Sequence, residues 1–268
     1  MSEKKPAEQA EERRREEAEA LLREMFAAQC DLTKLHVWRG QANAEWLLEP
    51  TLYRRIRNAH LPEEITEELV RKYETDLLCD ANGLGFYKGD RLATMVSLQH
   101  HGGATRLLDV SRNLYVSLWF ATSGEPASDG VMFHFGIPPE RVHRYDKLSS
   151  FDDIQSDRNS GRPFLYFPRP DEERVKAQQA GFLVTVLARP LSDAEPFVAD
   201  PAGLTVQRFV VPSALKSYLH EYLTRVIGLD GVGVYPDFEG FSMANGSQAR
   251  FARSPDSLYH GRDGLFPN

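Results

Sequence analysis

Two short segments hold most of the side chains in this sequence that could do chemistry. The first is Trp38-Arg39-Gly40-Gln41, and the second runs from Gln99 to Ser111 through His100-His101-Gly102-Gly103 and Thr105-Arg106-Leu107-Leu108-Asp109. Arginine presents a planar fork of donors that grips phosphate in a way lysine cannot, so Arg39 is a candidate for holding a phosphorylated ligand. Gly40 beside it would allow close backbone approach. Adjacent histidines on a strand or loop diverge, and no third ligand stands at zinc spacing such as HExxH, so no metal is expected at His100 and His101. One of these two histidines reads either as a hydrogen-bonding or acid–base group in a cleft or as a structural cap on the Gly102-Gly103 turn. Thr105, Arg106 and Asp109 also allow two readings: ligand contacts, or a buried Arg106–Asp109 ion pair that orders the loop. Arg39 could equally bridge to Asp109, with Gln41 and Trp46 fixing its turn. His134, inside Val131-Met132-Phe133-His134-Phe135, reads as a satisfied core histidine. No GxxxxGK[ST] and no GxSxG occurs, which argues against P-loop and α/β-hydrolase chemistry.

Hydrophobic spacing gives the elements that must position these groups. Leu35 to Trp38 reads as a strand ending at Arg39-Gly40. Leu61, Ile65, Leu69, Tyr73 and Leu77 recur every four residues, which predicts a helix over 61–79 with Pro62 near its start and Gly83 and Gly85 after its end. Arg91 to His100 reads as a helix with Leu92, Met95, Val96 and Gln99 on one face. Arg106 to Val110 reads as a strand, Asn113 to Ala121 as a helix, and Gly130 to Gly136 as a strand closed by Pro138-Pro139. Residues 149–163 read as a polar loop, and Phe182 to Leu187 and Val206 to Val211 as strands. Ser213 is a candidate N-cap for a helix carrying Leu215, Tyr218, Leu219, Tyr222 and Val226. Helices come first, then strands interrupted by single helices. That order predicts an α+β domain with a mixed, mostly antiparallel sheet flanked by helices, not a regular βαβ alternation.

The bulk numbers agree with one folded domain. The chain has 268 residues, 41% of them hydrophobic and 26% charged, so a buried core is expected. A net charge of -7 argues against non-specific duplex binding, which needs a broad basic face, but leaves room for a local arginine pocket. Two cysteines, Cys30 and Cys79, form no disulfide framework and read as reduced, structural thiols. The charged N-terminus offers no secretory signal and no apolar run approaches a membrane span, so a cytoplasmic location is expected. Residues 3–19 carry Lys, Arg and Glu almost without apolar interruption, followed by Leu21, Leu22, Met25 and Phe26 at helical spacing. This is a helix that packs its last turns on the domain or, alternatively, an arm for a protein partner.

Trp38-Arg39-Gly40-Gln41 with Trp46, Leu48, Pro50, Leu52 and Arg54, and Leu98 to Ser111 followed by Asn113 and Phe120-Ala121, closely resemble the bacterial FRG domain. Trp38 stands where the family has Phe, and Ala104-Thr105-Arg106-Leu107-Leu108-Asp109-Val110-Ser111 where it has Pro-Thr-Arg-Leu-Leu-Asp-Trp-Thr. Tyr235-Pro236-Asp237-Phe238-Glu239-Gly240 and Gln179-Ala180-Gly181-Phe182 resemble two further family segments. The resemblance spans roughly residues 35–242; with the charged helical arm and a tail rich in Ser, Gly, Asp and Pro, the expected division is the arm over 1–30, the FRG domain over 31–245 and an irregular tail over 246–268. The resemblance also implies a toxin or phage-defence factor rather than a particular reaction.

A fainter resemblance suggests the reaction. Val37-Trp38-Arg39-Gly40 is similar to the first strand of mono-ADP-ribosyltransferases, and Leu108-Asp109-Val110-Ser111 with Val116 to Ala121 to their second strand and following helix. It implies an ADP-ribosyltransferase-like core using NAD, with no membrane and an acceptor that is not identified. Arg39 and Ser111 would be catalytic, with Gln179 (or Gln178) in the slot of the family's Glu, on a strand over Val175 to Val184. Glu239 or Asp109 would be the substitute carboxylate and His100 an assisting group. Arg39, Gly40, Gln41, Thr105, Arg106, Asp109 and Ser111 would contact the nucleotide. A neutral Gln cannot offset oxocarbenium charge. A non-catalytic nucleotide sensor therefore stands as the alternative, and a nucleic-acid-directed enzyme as a third reading.

Overall fold

In the computed structural model, residues 6–60, 64–86, 89–145, 162–191, 197, 204–238, 240 and 242 are described. Their strands are β1 (Leu35–Gln41), β2 (Leu108–Ser111), β3 (Gly130–Ile137), β4 (Val142–Arg144), β5 (Phe164–Phe167), β6 (Ala180–Val184) and β7 (Thr205–Val211). They form one sheet in the order β4-β5-β6-β2-β1-β3-β7. The β4–β5 pair is parallel and the others are antiparallel. The helices are α1 (Pro6–Ala28), α2 (Thr51–Arg57), α3 (Glu67–Gly83), α4 (Arg91–His100), α5 (Leu114–Thr122), α6 (Glu173–Ala177), α7 (Ser213–Tyr222) and α8 (Gly231–Val234), with a π turn over Leu223–Ile227 extending α7. The protein is therefore α+β, with a mostly antiparallel mixed sheet flanked by helices.

Every residue of β3 is buried, as befits an interior strand that is apolar but for His134. On one face of the sheet Val37, Leu108, Val110, Phe135 and Leu183 join one core cluster. On the other, Trp38, Met132 and Val211 pack with α1, α5 and α7, while Phe164, Tyr166 and Phe182 pack with α3 and α4. Ala18 and Met25 of α1 are buried in this packing, so the charged helix is docked along that side. Cross-strand partners share a face. Trp38 pairs with Ser111 and Asp109 with Phe182, so the candidate residues of β2 look out between α4 and α5.

Local chemistry fixes these helices. Asp90 caps α4 by accepting from the Ala93 N–H at 2.7 Å, and Asn113 caps α5 by accepting from Tyr115 at 3.0 Å. A Cβ on Gly40 would stand 1.8 Å from the Ser117 carbonyl, so only glycine lets α5 lie directly on β1.

Several elements differ from the sequence reading. The buried face of α3 is Val70, Glu74, Leu78 and Ala81, one residue round from Leu69, Tyr73 and Leu77, because Glu74 turns inward to an ion pair. Residues Val175 to Val184 are the end of α6, a turn and β6 rather than one strand. Helix α7 is capped at Pro212, and the Ser213 N–H donates to Asp129 at 2.7 Å. Cys30 and Cys79 are free, exposed thiols, not buried structural ones. Among the described residues no helix is long and apolar enough to cross a membrane. Leu61, Pro62, most of the 149–163 loop, Glu239 and the 246–268 tail lie outside the described residues.

Behind Trp38 lies a buried polar chain. His134 lies tilted against the Trp38 ring, with centroids 4.5 Å apart. Its Nε2 is 2.9 Å from His36 Nδ1 and its Nδ1 is 3.1 Å from Gln207 Oε1. Burial, reinforced by His36 and Lys34 against the Gln207 bond, pushes His134 down to about 4. The unfolded side chain titrates near 6.5. Between these values the unfolded state holds a proton that the folded state lacks, so stability falls as pH drops through the window. The expected loss is about 3 kcal/mol between pH 6.5 and pH 4. Urea denaturation across this range should show that slope in the wild type and a much shallower one in His134→Gln.

Candidate functional site

Arg39 leaves β1 toward a cavity of about 390 Å³. Its Nη1 donates to the Asp109 carbonyl at 2.8 Å and its Nε to Gln41 Oε1 at 3.2 Å. Gln41 is itself held by donating to the Trp46 carbonyl at 3.0 Å. The Arg39 side chain keeps 19% exposure, and its Nη1 is 4.0 Å from the Asp109 carboxylate. Burial lowers the guanidinium below its ordinary value; Asp109 opposes this and Arg54 adds to it. An arginine so placed stays charged. It is anchored at two points and lines the cavity.

Asp109 forms the floor beside it, oriented by a relay. The Leu107 N–H donates to Thr105 Oγ1 at 3.1 Å, Thr105 Oγ1 donates to Gln99 Oε1 at 2.6 Å, and Gln99 Nε2 donates to Asp109 Oδ2 at 2.5 Å. Each link fixes the next: a hydroxyl that accepts from Leu107 has its proton free for Gln99, so the Gln99 amide must turn its N–H₂ to the carboxylate. Ser111 is similarly tied. Its hydroxyl donates to the Gln178 carbonyl at 2.6 Å and accepts from the Asn113 N–H at 2.9 Å.

The far wall comes from the second half of the chain. Arg174 on α6 binds Asp237 through Nε at 2.7 Å and Nη2 at 2.8 Å, donates from Nη1 to the His100 carbonyl at 2.6 Å, and lies 4.9 Å over the Tyr235 ring. Those hydrogen bonds hold the Asp237 carboxyl below its ordinary value, against a smaller cost of burial. Arg174 thus clamps the end of α4 to the segment after α8, with Tyr235 between. His100 lines the same cavity, 92% buried by the 8% it exposes. Its Nδ1 lies 3.1 Å from Glu172 Oε2 in an ion-pair contact, and its Nε2 makes no hydrogen bond. Burial lowers His100 below its ordinary value, Glu172 and Asp109 pull it back, and Arg174 and His101 push it further down.

Arg39, Gly40, Asp109, Ser111 and His100 all line the cavity. Gln41 and Thr105 do not; they stand behind Arg39 and Asp109 as supports. Arg106 is fully buried and is not near a ligand: it pairs with Glu74 through two 2.6 Å bonds and with Glu67 at 3.0 Å. The local Arg106–Asp109 ion pair is thereby corrected. Gln179 is exposed, with a left-handed φ of 46°, and does not line the cavity; its neighbour Gln178 does, donating from Nε2 to the Val234 carbonyl at 3.1 Å. Glu239 lies outside the described residues. Sequence reasoning did not place Arg174, Phe120 or Tyr235 in the site. The Tyr-Pro-Asp run at 235–237 was the available signal, because a carboxylate set beside an aromatic ring suits an arginine. Among the described residues no group of three or more His, Cys, Asp or Glu could hold a metal ion.

The fold and the site define an α+β protein with a charged cleft between two helices on the face of its sheet. Residues 34–130 match the FRG domain family. This segment contains both motif runs of the near wall; Arg174, Gln178 and Tyr235 lie beyond it. No curated protein and no solved structure matches the chain.

Proposed function

We propose that the cleft binds a pyridine dinucleotide such as NAD and that the protein is an ADP-ribosyltransferase-like enzyme serving as a toxin or phage-defence factor. The observation that carries this reading is the meeting of Arg39, Ser111 and Gln178 at one cavity, from the neighbouring strands β1 and β2 and the turn leading into β6. That is the order along the chain in which the resemblance places a phosphate-holding Arg, a ribose-steadying Ser and the slot of a catalytic Glu. The cavity falls in the range of roughly 300–1,000 Å³ typical of small-molecule sites. Arg39 supplies the fixed cation, while Tyr235 and Phe120 supply flat apolar surface for a ring.

Incubation with NAD should release nicotinamide and, with label on the ADP-ribose part, mark an acceptor in bacterial lysate. At sub-saturating NAD, release and labelling should both fall by roughly 10- to 100-fold in Arg39→Ala. Absence of both in the wild type would contradict an enzymatic role. One observation favours a second reading, a nucleotide sensor without turnover: Gln178, in the slot of the Glu, is neutral and already spends its amide on Val234. Tight NAD binding without nicotinamide release would select it.

A further inference from the structure

We infer that Asp109 is the catalytic carboxylate of this cleft, offsetting positive charge at the ribose as the glycosidic bond breaks and then taking the proton of the attacking nucleophile. The inference rests on the dinucleotide reading of the cleft and gives that reading the group that Gln178 cannot supply.

Asp109 is the one Asp or Glu among the described residues that line the cavity. The nearby Asp237 is consumed by two bonds to Arg174 and a third from the Gly240 N–H. Glu172 stands outside the lining, on the far side of His100. Asp109 differs from both. Its side chain is 48% exposed, Oδ2 is pinned by Gln99, and Oδ1 makes no hydrogen bond to a described residue. One oxygen is aimed and the other is open to a guest. Such an arrangement suits a group that must meet charge at a fixed point without reorganising. The relay through Thr105 and Gln99 reaches back to the Leu107 backbone, so the carboxylate is oriented by the fold itself. His100 is a second, independent sign of a polar guest: a buried imidazole lining the same cavity, its Nδ1 held 3.1 Å from Glu172 Oε2 and its Nε2 making no hydrogen bond.

The chemistry balances with water or an acceptor hydroxyl as nucleophile. The bond from ribose C1′ to the nicotinamide nitrogen breaks, and its electron pair leaves on nicotinamide, which becomes neutral. The ribosyl group carries the positive charge, facing the Asp109 carboxylate in a site where a fixed charge acts more strongly than in water. The nucleophile oxygen bonds to C1′, its proton passes to Asp109, and Asp109 returns it to solvent.

The test uses the full chain, NAD and Asp109→Asn, in which Oδ1 can still accept from Gln99. NAD affinity measured by calorimetry should stay within about threefold of wild type, and nicotinamide release should fall by on the order of 100- to 1,000-fold, the usual effect of removing one fixed transition-state contact. Asp109→Glu, which keeps the charge on a longer arm, should recover part of the lost release; it also serves if the Asn variant does not fold. Wild-type release with an unaffected Asp109→Asn overturns the role of Asp109 alone. Loss of NAD binding in Asp109→Asn, or wild-type binding without release, overturns the catalytic role and leaves the dinucleotide reading in place. No NAD binding by the wild type overturns both.

Discussion

Glu74→Ala is expected to lower the free energy of unfolding by about 3–5 kcal/mol, the cost of stranding one charge of a buried pair. Glu74 is 1% exposed and Arg106 fully buried. Their two 2.6 Å bonds join the middle of α3 to the approach to β2, two residues before it starts. Glu67 completes the cluster. It accepts from Arg106 at 3.0 Å and Arg71 at 2.8 Å through one oxygen, and from the Leu187 N–H at 2.9 Å through the other. Burial works against the Arg106 charge, but Glu74, with Tyr53 and Glu67 behind it, raises the guanidinium above its ordinary value. The same burial pushes the Glu74 carboxyl up while Arg106 pulls it down. With Glu74 gone, Arg106 keeps only Glu67 and a long bond to the Thr185 carbonyl at 3.4 Å. Glu74→Gln should cost less, since it can still accept one bond. Urea denaturation of both variants checks this, and a loss below about 1 kcal/mol in Glu74→Ala would mean that α3 can repack around a lone guanidinium. The cluster sits directly behind the Thr105–Gln99–Asp109 relay, so its loss should also loosen the floor of the cleft.

Arg39→Ala is expected to weaken NAD binding by roughly 10- to 100-fold, from the 1.5–3 kcal/mol of a hydrogen bond to a charged group. Its effect on the fold should be small. Arg39 is at the cavity surface, and its own bonds go to a backbone carbonyl and a neutral amide. Arg39→Lys should not restore affinity. A single ammonium cannot donate to Asp109, lean on Gln41 and still offer a flat pair of donors to a phosphate. Calorimetry on the three proteins, with thermal melting as a control for folding, separates the outcomes. Equal affinity in wild type and Arg39→Ala would place the phosphates elsewhere.

The near wall of the cleft was legible because its residues lie in two unbroken runs. Trp38 to Gln41 and Gln99 to Ser111 keep their chemistry within a few positions, and the helix over Arg91 to His100 carries its own cap and apolar face. The far wall could not be read the same way. Arg174 and Asp237 are 63 residues apart, and only the folded chain brings them together. Distance also misled the reading of Arg106. Asp109 is the acid nearby in sequence, whereas the true partner is 32 residues upstream. An inward-facing Glu74 in turn shifted the buried face of α3 by one position from the apolar spacing. Gln179 was preferred to Gln178 because nothing in the letters Gln-Gln announces the left-handed backbone that turns the second one outward. The short strands β4 and β5 were missed for a different reason: each has three or four residues, too few for alternation to stand out beside a polar loop.

The most direct measurement of the central claim is a crystal structure of the chain grown with saturating NAD. The expected result is a nucleotide in the cleft with a phosphate oxygen within hydrogen-bond distance of the Arg39 guanidinium and the nicotinamide ribose beside Asp109. A cleft without nucleotide at saturation, or NAD seated on another surface, would contradict it.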